Sequence, residues 1–121
     1  MRVLIVDDNP SMRRLIRSVI DGVADVVGEC ADGAEAPAAY AALRPDCVLM
    51  DIRMAGTDGV VATRQIATAW PTARICIVTD YEDADLRAAA HRAGACAYVL
   101  KDDLLSLRQL LRSGIGGDGG A

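Results

Sequence analysis

The sequence predicts an α/β protein in which a five-stranded parallel sheet carries helices on both faces. Five short apolar runs alternate strictly with five segments of helical periodicity along 121 residues. The runs show little alternation of polar and apolar residues, which is typical of strands buried on both faces. A chain of this length suffices for one domain with one core, and the βα order implies right-handed crossovers.

The first unit combines a strand over residues 3–6 with a helix that begins after Asn9. Asn9 suits the cap position, and Pro10 suits the first helical turn. Apolar residues then recur at helical spacing on one stripe, which comprises Met12, Leu15, Ile16, Val19 and Ile20. Arg13, Arg14 and Arg17 lie outside this stripe. Gly22 ends the helix, and residues 24–30 form the second predicted strand.

The start of the second helix has two interpretations. Asp32 is one candidate cap, and Pro37 would then remove an early hydrogen bond of the helix. In the alternative, the helix begins one turn later with Pro37 at its favoured first position. Either way the helix ends near Leu43, and Arg44 with Pro45 stops it.

The remaining three units follow the same order. Strands are predicted over residues 47–50, 75–78 and 95–100. One helix runs from Asp58 to about Ala69, and the next begins near Asp83 and ends at Gly94. Asp102 or Asp103 caps the last helix, which Gly114 stops. We therefore expect one domain over residues 1–113 and a flexible Gly-rich tail or linker over residues 114–121.

Charge and composition exclude several functions. The formal net charge of −4 argues against direct binding of nucleic acid by this chain, which requires clustered Lys and Arg. No segment is long and apolar enough to span a membrane, and no signal peptide is evident, so we expect a cytoplasmic protein. The four cysteines lack metal-site spacing, and we interpret them as reduced, buried core thiols.

Four of the five strands end on a polar residue capable of chemistry. Strand one is followed by Asp7 and Asp8, strand three by Asp51 and strand five by Lys101, and Thr79 ends strand four. The carboxyl ends of parallel strands lie at one edge of the sheet, where ligands bind in open α/β folds. We therefore expect these five side chains to meet in one pocket.

Such a pocket suits metal-assisted phosphoryl transfer. Neighbouring carboxylates repel one another, and Mg²⁺ with oxygen ligands relieves the repulsion. Asp51 is the candidate nucleophile, which would attack phosphorus to give an aspartyl phosphate. Lys101 and Mg²⁺ would neutralise the phosphoryl oxygens, and the hydroxyl of Thr79 would donate a hydrogen bond.

These residues resemble the response-regulator receiver domain, the CheY-like phospho-acceptor module of two-component signalling. The matching elements are Asp7 with Asp8, Asp51 within residues 49–54, Asp58 with Gly59, Thr79, Tyr98 and Lys101. The resemblance covers residues 1 to about 113 and implies the flavodoxin-like strand order 2-1-3-4-5. Residues 97–102, with Asp102 directly after Lys101, are similar to the NarL/FixJ-type (LuxR-type) regulators.

The resemblance implies a role for each site residue. Asp51 would accept a phosphoryl group from a phosphohistidine on a sensor histidine kinase. Mg²⁺ would be bound by Asp8, by Asp51 and by the backbone carbonyl of Arg53, and by Asp7 through water. Lys101 would contact the phosphoryl group. Receivers catalyse their own phosphorylation and slow dephosphorylation and are not conventional enzymes.

The resemblance also implies a conformational switch and an output. Thr79 would turn toward the phosphoryl group, and Tyr98 would move inward with it. The changed surface would be helix 4, strand 5 and helix 5, through which a homodimer could also form. NarL/FixJ-type regulators usually control transcription through a helix-turn-helix domain that this chain lacks. We expect either a stand-alone receiver or a receiver cut from a longer regulator, with DNA bound only by a missing or separate output domain.

Three positions depart from the family pattern. Ala55 replaces the usual Pro and should loosen the loop after Asp51, and Asp80 replaces the usual small residue after Thr79. Asp102 stands where many members have Pro. The first two departures motivate an alternative, a pseudo-receiver that keeps the fold and acts as a protein-interaction module without phosphorylation.

Overall fold

A single parallel sheet organises the molecule. A computed structural model describes residues 1–54 and 56–114. The strands are β1 (Arg2–Val6), β2 (Asp25–Cys30), β3 (Cys47–Met50), β4 (Ile75–Thr79) and β5 (Ala97–Leu100). They pair in parallel in the order β2-β1-β3-β4-β5, which confirms the predicted topology.

Five helices connect the strands. They are α1 (Pro10–Ile20), α2 (Ala36–Leu43), α3 (Gly59–Ala69), α4 (Ala84–Ala93) and α5 (Leu104–Ser113). Buried side chains of α1 and α5 pack on one face of the sheet, and those of α2, α3 and α4 pack on the other. Within the described ranges, no helix combines the length and hydrophobicity that crossing a membrane requires.

The helix starts follow the side chains that cap them. The Asn9 side chain accepts hydrogen bonds from the backbone of Ser11 and Met12, and Asp58 and Asp83 cap α3 and α4 in the same way. Asp103 precedes α5 without capping it through its side chain.

Both interpretations of the second helix are partly right. Asp32 caps a short 3₁₀ turn, Gly33–Glu35, by accepting a hydrogen bond from the backbone N–H of Ala34. The α-helix itself begins only at Ala36, with Pro37 in its first turn. Pro37 therefore breaks no α-helical hydrogen bond, because the first N–H groups of a helix have no partner within it.

Strand five is shorter than predicted, and the predicted burial of one cysteine is wrong. The strand begins at Ala97, so Cys96 lies before it and is exposed, whereas Cys30, Cys47 and Cys76 are buried as expected. Strand four is one residue longer than predicted and includes Thr79. The expectations for Ala55 and for the tail over residues 115–121 fall outside the described residues.

Candidate functional site

Two neighbouring central strands bring Asp7 and Asp51 together. Val6 and Met50 are register partners in β1 and β3, and each is followed directly by an aspartate. The backbone N–H of Asp51 donates to the carbonyl of Val6 at 2.9 Å. Asp7 is 1% exposed and Asp51 is 5% exposed. The sheet edge therefore holds two largely buried carboxyl groups.

Asp8 completes a compact acidic cluster. One carboxylate oxygen from each of Asp7, Asp8 and Asp51 lies within 4.8 Å of the other two. Asp8 itself is exposed, which leaves the cluster open to solvent on one side. Oxygen donors of this kind are the ligands that Mg²⁺ prefers.

Lys101 brings a positive charge to the site. It follows β5, and its backbone N–H donates to the carbonyl of Thr79 at 2.8 Å. Its Nζ lies 2.9 Å from Asp7 Oδ2 and 3.2 Å from Asp51 Oδ2, and its side chain is 8% exposed. The Asp7 contact is an ion pair, and the buried Oδ2 atom has no aligned hydrogen-bond donor. Asp7 and Asp51 share this one ammonium group, and three carboxylate oxygens in one cluster are donors that suit a divalent cation, so the residues present fit Mg²⁺.

The pKa values of Asp51 and Lys101 show how burial and neighbouring charges affect ionisation in the site. The pKa of the Asp51 carboxyl is raised to about 6: burial is the largest cause, the charge of Lys101 opposes the rise, and the neighbouring Asp7 adds to it. Burial disfavours the charge on Lys101, but Asp7 and Asp51 outweigh burial and raise the pKa of the ammonium group. Lys101 thus stays charged and compensates only part of the carboxylate repulsion.

Thr79 and Tyr98 both contact the backbone of Tyr81. Thr79 is fully buried, and its hydroxyl oxygen accepts from the N–H of Tyr81 at 3.3 Å. The Tyr98 hydroxyl donates to the Tyr81 carbonyl at 2.6 Å, and the Arg87 guanidinium lies 4.3 Å from the Tyr98 ring centre. The structure therefore links the two predicted switch residues through one peptide segment directly after β4.

The side chains of Arg53 and Tyr81, which follow Asp51 and Thr79 closely in sequence, contact each other. The Arg53 guanidinium lies 4.8 Å from the ring centre of Tyr81, and both side chains are solvent-accessible. Arg53 is two residues after Asp51, and Tyr81 is two residues after Thr79. The carbonyl of Arg53 as a metal ligand stays a prediction. Asp80 is exposed.

Several supporting residues were not identified from the sequence. The Asp32 carboxylate accepts from the backbone N–H of Thr57 at 2.9 Å, which joins the loop after β2 to the loop after β3. Gly59 packs so closely on the chain after β3 that a Cβ there would overlap the carbonyl oxygen of Asp51. Arg13 donates to the carbonyl oxygen of Asp7. Asp32 carried a signal in the sequence only as a helix cap and Gly59 only as the residue after one, whereas Arg13 carried none for its contact with Asp7.

Residues 3–112 match the family model described as the response regulator receiver domain. The chain belongs to this family. Receiver domains bind Mg²⁺ at an acidic pocket, and the cluster of Asp7, Asp8 and Asp51 corresponds to that pocket.

Similar proteins differ from one another in their described functions. Protein-glutamate methylesterase/protein-glutamine glutaminase 3 of Anaeromyxobacter dehalogenans is 40% identical over 84% of this chain and 30% of that protein. The transcriptional regulatory protein LiaR of Bacillus subtilis is 36% identical over 84% of this chain and 49% of that protein. The chain thus spans half or less of the length of these curated relatives.

A solved receiver domain supports the subgroup resemblance. The receiver domain of the response regulator NarL from Mycobacterium tuberculosis has a TM-score of 0.81 and 30% identity, covering 92% of this chain and 89% of that one. The receiver fold and the likeness to NarL-type regulators, both predicted from the sequence, are confirmed.

Proposed function

We propose that Asp51 accepts a phosphoryl group from the phosphohistidine of a sensor histidine kinase in a Mg²⁺-dependent reaction. The observation that carries this proposal is the meeting of three carboxylates and the Lys101 ammonium at one sheet edge. Asp7, Asp8 and Asp51, with the carbonyl of Arg53, would hold the cation. When bound, Mg²⁺ offsets negative charge on the phosphoryl oxygens and the carboxylates.

The chemical step needs one nucleophile and one leaving group. An oxygen of the ionised Asp51 carboxylate attacks phosphorus, the new O–P bond forms, and the P–N bond to the imidazole breaks with its electron pair on nitrogen. Lys101 Nζ, already 3.2 Å from Asp51 Oδ2, moves its hydrogen bond to a phosphoryl oxygen. Hydrolysis of the aspartyl phosphate restores the acceptor, so the chain acts as a switch and not as a conventional enzyme.

The switch would pass through Tyr81 to the surface. Thr79 turning its hydroxyl toward the phosphoryl group would give up the bond from the Tyr81 N–H. The peptide segment that also anchors the Tyr98 hydroxyl would then shift. This route supports the helix α4, strand β5 and helix α5 face as the signalling surface.

We further propose that this face supports a homodimer and that the chain works in the cytoplasm. A cavity of about 460 Å³ lies between α4 and β5 and includes Arg87, His91, Cys96 and Tyr98 in its lining. Measurement of the molecular mass in solution before and after phosphorylation tests the dimer.

Control of transcription would proceed through a DNA-binding output domain separate from residues 1–113.

The decisive experiment is intact mass spectrometry after incubation with Mg²⁺ and acetyl phosphate. We expect one phosphoryl adduct in the wild type, none with Asp51→Asn and none in EDTA. Asp25→Asn is the matched control, because it removes an exposed carboxylate at the start of β2, which lies outside the acidic cluster. An adduct of equal yield in Asp51→Asn would overturn the proposal.

The second candidate function is a pseudo-receiver that binds a partner without phosphorylation. The exposed carboxylate of Asp80 favours it, because negative charge at the pocket mouth repels anionic phosphodonors. In that case Asp80→Ala would restore labelling that the wild type lacks. Labelling of the wild type at a useful rate would dismiss the pseudo-receiver.

A further inference from the structure

Arg13 of helix α1 connects the acidic site to the neighbouring strand. Its Nη1 donates to the backbone carbonyl oxygen of Asp7 at 2.6 Å, and its Nε donates to Glu29 Oε1 at 2.8 Å. The Arg13 side chain is 18% exposed and that of Glu29 is 29% exposed. One guanidinium therefore joins the peptide between Asp7 and Asp8 to a residue of β2.

Glu29 gives this guanidinium a fixed support. It pairs in register with Ile5 of β1, so the sheet sets the position of its backbone. Its second carboxylate oxygen accepts from Arg17 Nε at 2.6 Å. The hydrogen bond from Arg17, with a further one from Arg13, holds the pKa of the Glu29 carboxyl below its ordinary value against the effect of burial.

The backbone and side chain of Asp7 are held from several sides. Its N–H donates to the carbonyl of Cys30 at 3.0 Å, and its Oδ1 accepts from the N–H of Asn9 at 2.9 Å. The Arg13 bond adds the carbonyl oxygen, which belongs to the peptide from which Asp8 projects. The orientation of this peptide sets the backbone direction from which the Asp8 side chain departs, directly beside Asp7.

We propose that Arg13 is a positioning residue of the Mg²⁺ site, acting through the Asp7 carbonyl to align the Asp7 and Asp8 carboxylates. The inference rests on the proposed Mg²⁺-dependent function. Groups that orient the ligands of a metal typically change its affinity 10–100-fold when they are removed, without touching the metal themselves.

The direction of the change in Mg²⁺ affinity distinguishes a positioning role of Arg13 from a simple effect of its charge. Arg13 is a cation near a cation site, so its charge by itself weakens the binding of Mg²⁺. Removing the charge alone should therefore tighten binding, whereas loss of positioning should weaken it. Arg17→Ala is a matched control. It removes the same charge and the same kind of hydrogen bond, from Nε to the Glu29 carboxylate. The bond to the Asp7 carbonyl, by contrast, comes from Arg13.

The test is isothermal titration calorimetry of Mg²⁺ into the whole chain for wild type, Arg13→Ala and Arg17→Ala, with folding checked by circular dichroism. We expect Arg13→Ala to bind Mg²⁺ about 10-fold more weakly. Arg17→Ala should bind as tightly as the wild type or slightly more tightly. With acetyl phosphate, the Mg²⁺ concentration that gives half-maximal labelling should rise by the same factor in Arg13→Ala, with little change in the rate at saturating Mg²⁺.

Equal or tighter binding of Mg²⁺ by Arg13→Ala than by wild type would overturn the inference. Equal weakening in Arg17→Ala would also overturn it, because the effect would then belong to the ion-pair cluster and not to the Asp7 carbonyl. Should Arg13→Ala fail to fold, Arg13→Lys takes its place. Lysine keeps the charge but lacks the planar guanidinium group that donates to two acceptors. Wild-type Mg²⁺ affinity in Arg13→Lys would count against the proposal. A wild type that binds no Mg²⁺ would instead refute the proposed function itself.

Discussion

At the scale of single residues, the clustered carboxylates that the proposed phosphoryl transfer needs also lower the stability of the folded protein. Asp7, Asp8 and Asp51 share one small volume, and Lys101 compensates only part of their repulsion. The raised pKa of Asp51, about 6, reports that burial disfavours its ionised form. A folded protein tolerates such a group only because the rest of the core compensates for it.

Asp51→Asn should therefore stabilise the protein in Mg²⁺-free buffer. The amide keeps the shape of the carboxyl group and removes one of the mutually repelling charges, so we expect the free energy of unfolding at pH 7 to rise by about 1–2 kcal/mol. Urea denaturation in EDTA measures it, with Asp80→Asn as the exposed control. A loss of stability in Asp51→Asn would show that the ion pair with Lys101 outweighs the repulsion.

The contact between Arg53 and Tyr81 should extend the lifetime of the aspartyl phosphate. Arg53 is two residues after Asp51 and Tyr81 is two residues after Thr79, and we expect the loss of either side chain to give water easier access to the aspartyl phosphate. We expect Arg53→Ala and Tyr81→Ala each to speed loss of the adduct about two- to fivefold, in line with the strength of an exposed cation–π contact. Fold stability should barely change.

A double-mutant cycle measures the coupling. Adduct loss is followed by intact mass after the phosphodonor is removed, and the doubly substituted protein should lose phosphate no faster than the faster single variant. Lifetimes unchanged in both single variants would refute this role.

At the scale of elements, the junction between β3 and α3 sets the geometry around Asp51. Asp58 caps α3 by accepting from the N–H groups of Val60 and Val61, and the N–H of Gly59 donates to the carbonyl of Ile52 at 2.8 Å. The helix start thus lies directly on the chain that leaves the nucleophile. A side chain at position 59 has no room there.

Gly59→Ala should destabilise the protein although Ala is the better helix former. The added methyl group would displace the backbone after Asp51, and overpacking of this kind costs about 1–3 kcal/mol. Urea denaturation measures the change, and Arg64→Ala on the exposed side of α3 serves as control. A gain in stability, as intrinsic helix propensity alone predicts, would contradict the close packing.

Element boundaries also show the limit of sequence patterns. Asp32 and Pro37 each carried a valid start signal, and the chain satisfies both by placing a 3₁₀ turn before α2. The apolar run over residues 95–100 resembled one strand, yet the strand comprises only Ala97–Leu100. Cys96 lies just before that strand and is exposed. The hydrophobic composition of the run does not reveal where the strand begins.

At the scale of the whole molecule, helices distant in sequence stabilise each other. Nη1 of Arg108 in α5 donates to the carbonyls of Val19, at 2.9 Å, and Asp21, at 2.6 Å, at the end of α1. These carbonyls are among the last of the helix and have no partner within it. The first and last helices of the domain are joined in this way on one face of the sheet.

Arg108→Ala should lower the free energy of unfolding by about 1–3 kcal/mol, because the carbonyl groups of Val19, which is partly buried, and of Asp21, which is exposed, lose a charged donor. Chemical denaturation monitored by circular dichroism tests it. Gln109→Ala is the neighbouring control, since its exposed side chain should contribute less than about 0.5 kcal/mol. Equal stability of the two variants would show that packing alone holds α5 against α1.

The sequence by itself determined the α/β class, the element order and the residues at the carboxyl ends of the strands. These features depend on local patterns: apolar runs of strand length, helical periodicity and capping residues. Parallel pairing then requires Asp7, Asp51 and Lys101 to share one edge, so the acidic site was predictable without coordinates.

Only the tertiary structure decided how that site is supported. Arg13 reaches the Asp7 carbonyl, Asp32 reaches the N–H of Thr57, and the segment after β4 joins Thr79 to Tyr98. Apart from the local bond between Thr79 and Tyr81, each contact pairs a side chain with a backbone group whose position depends on the packing of other elements. No spacing in the sequence encodes such pairs, because any polar residue of suitable length on the adjoining element could make them.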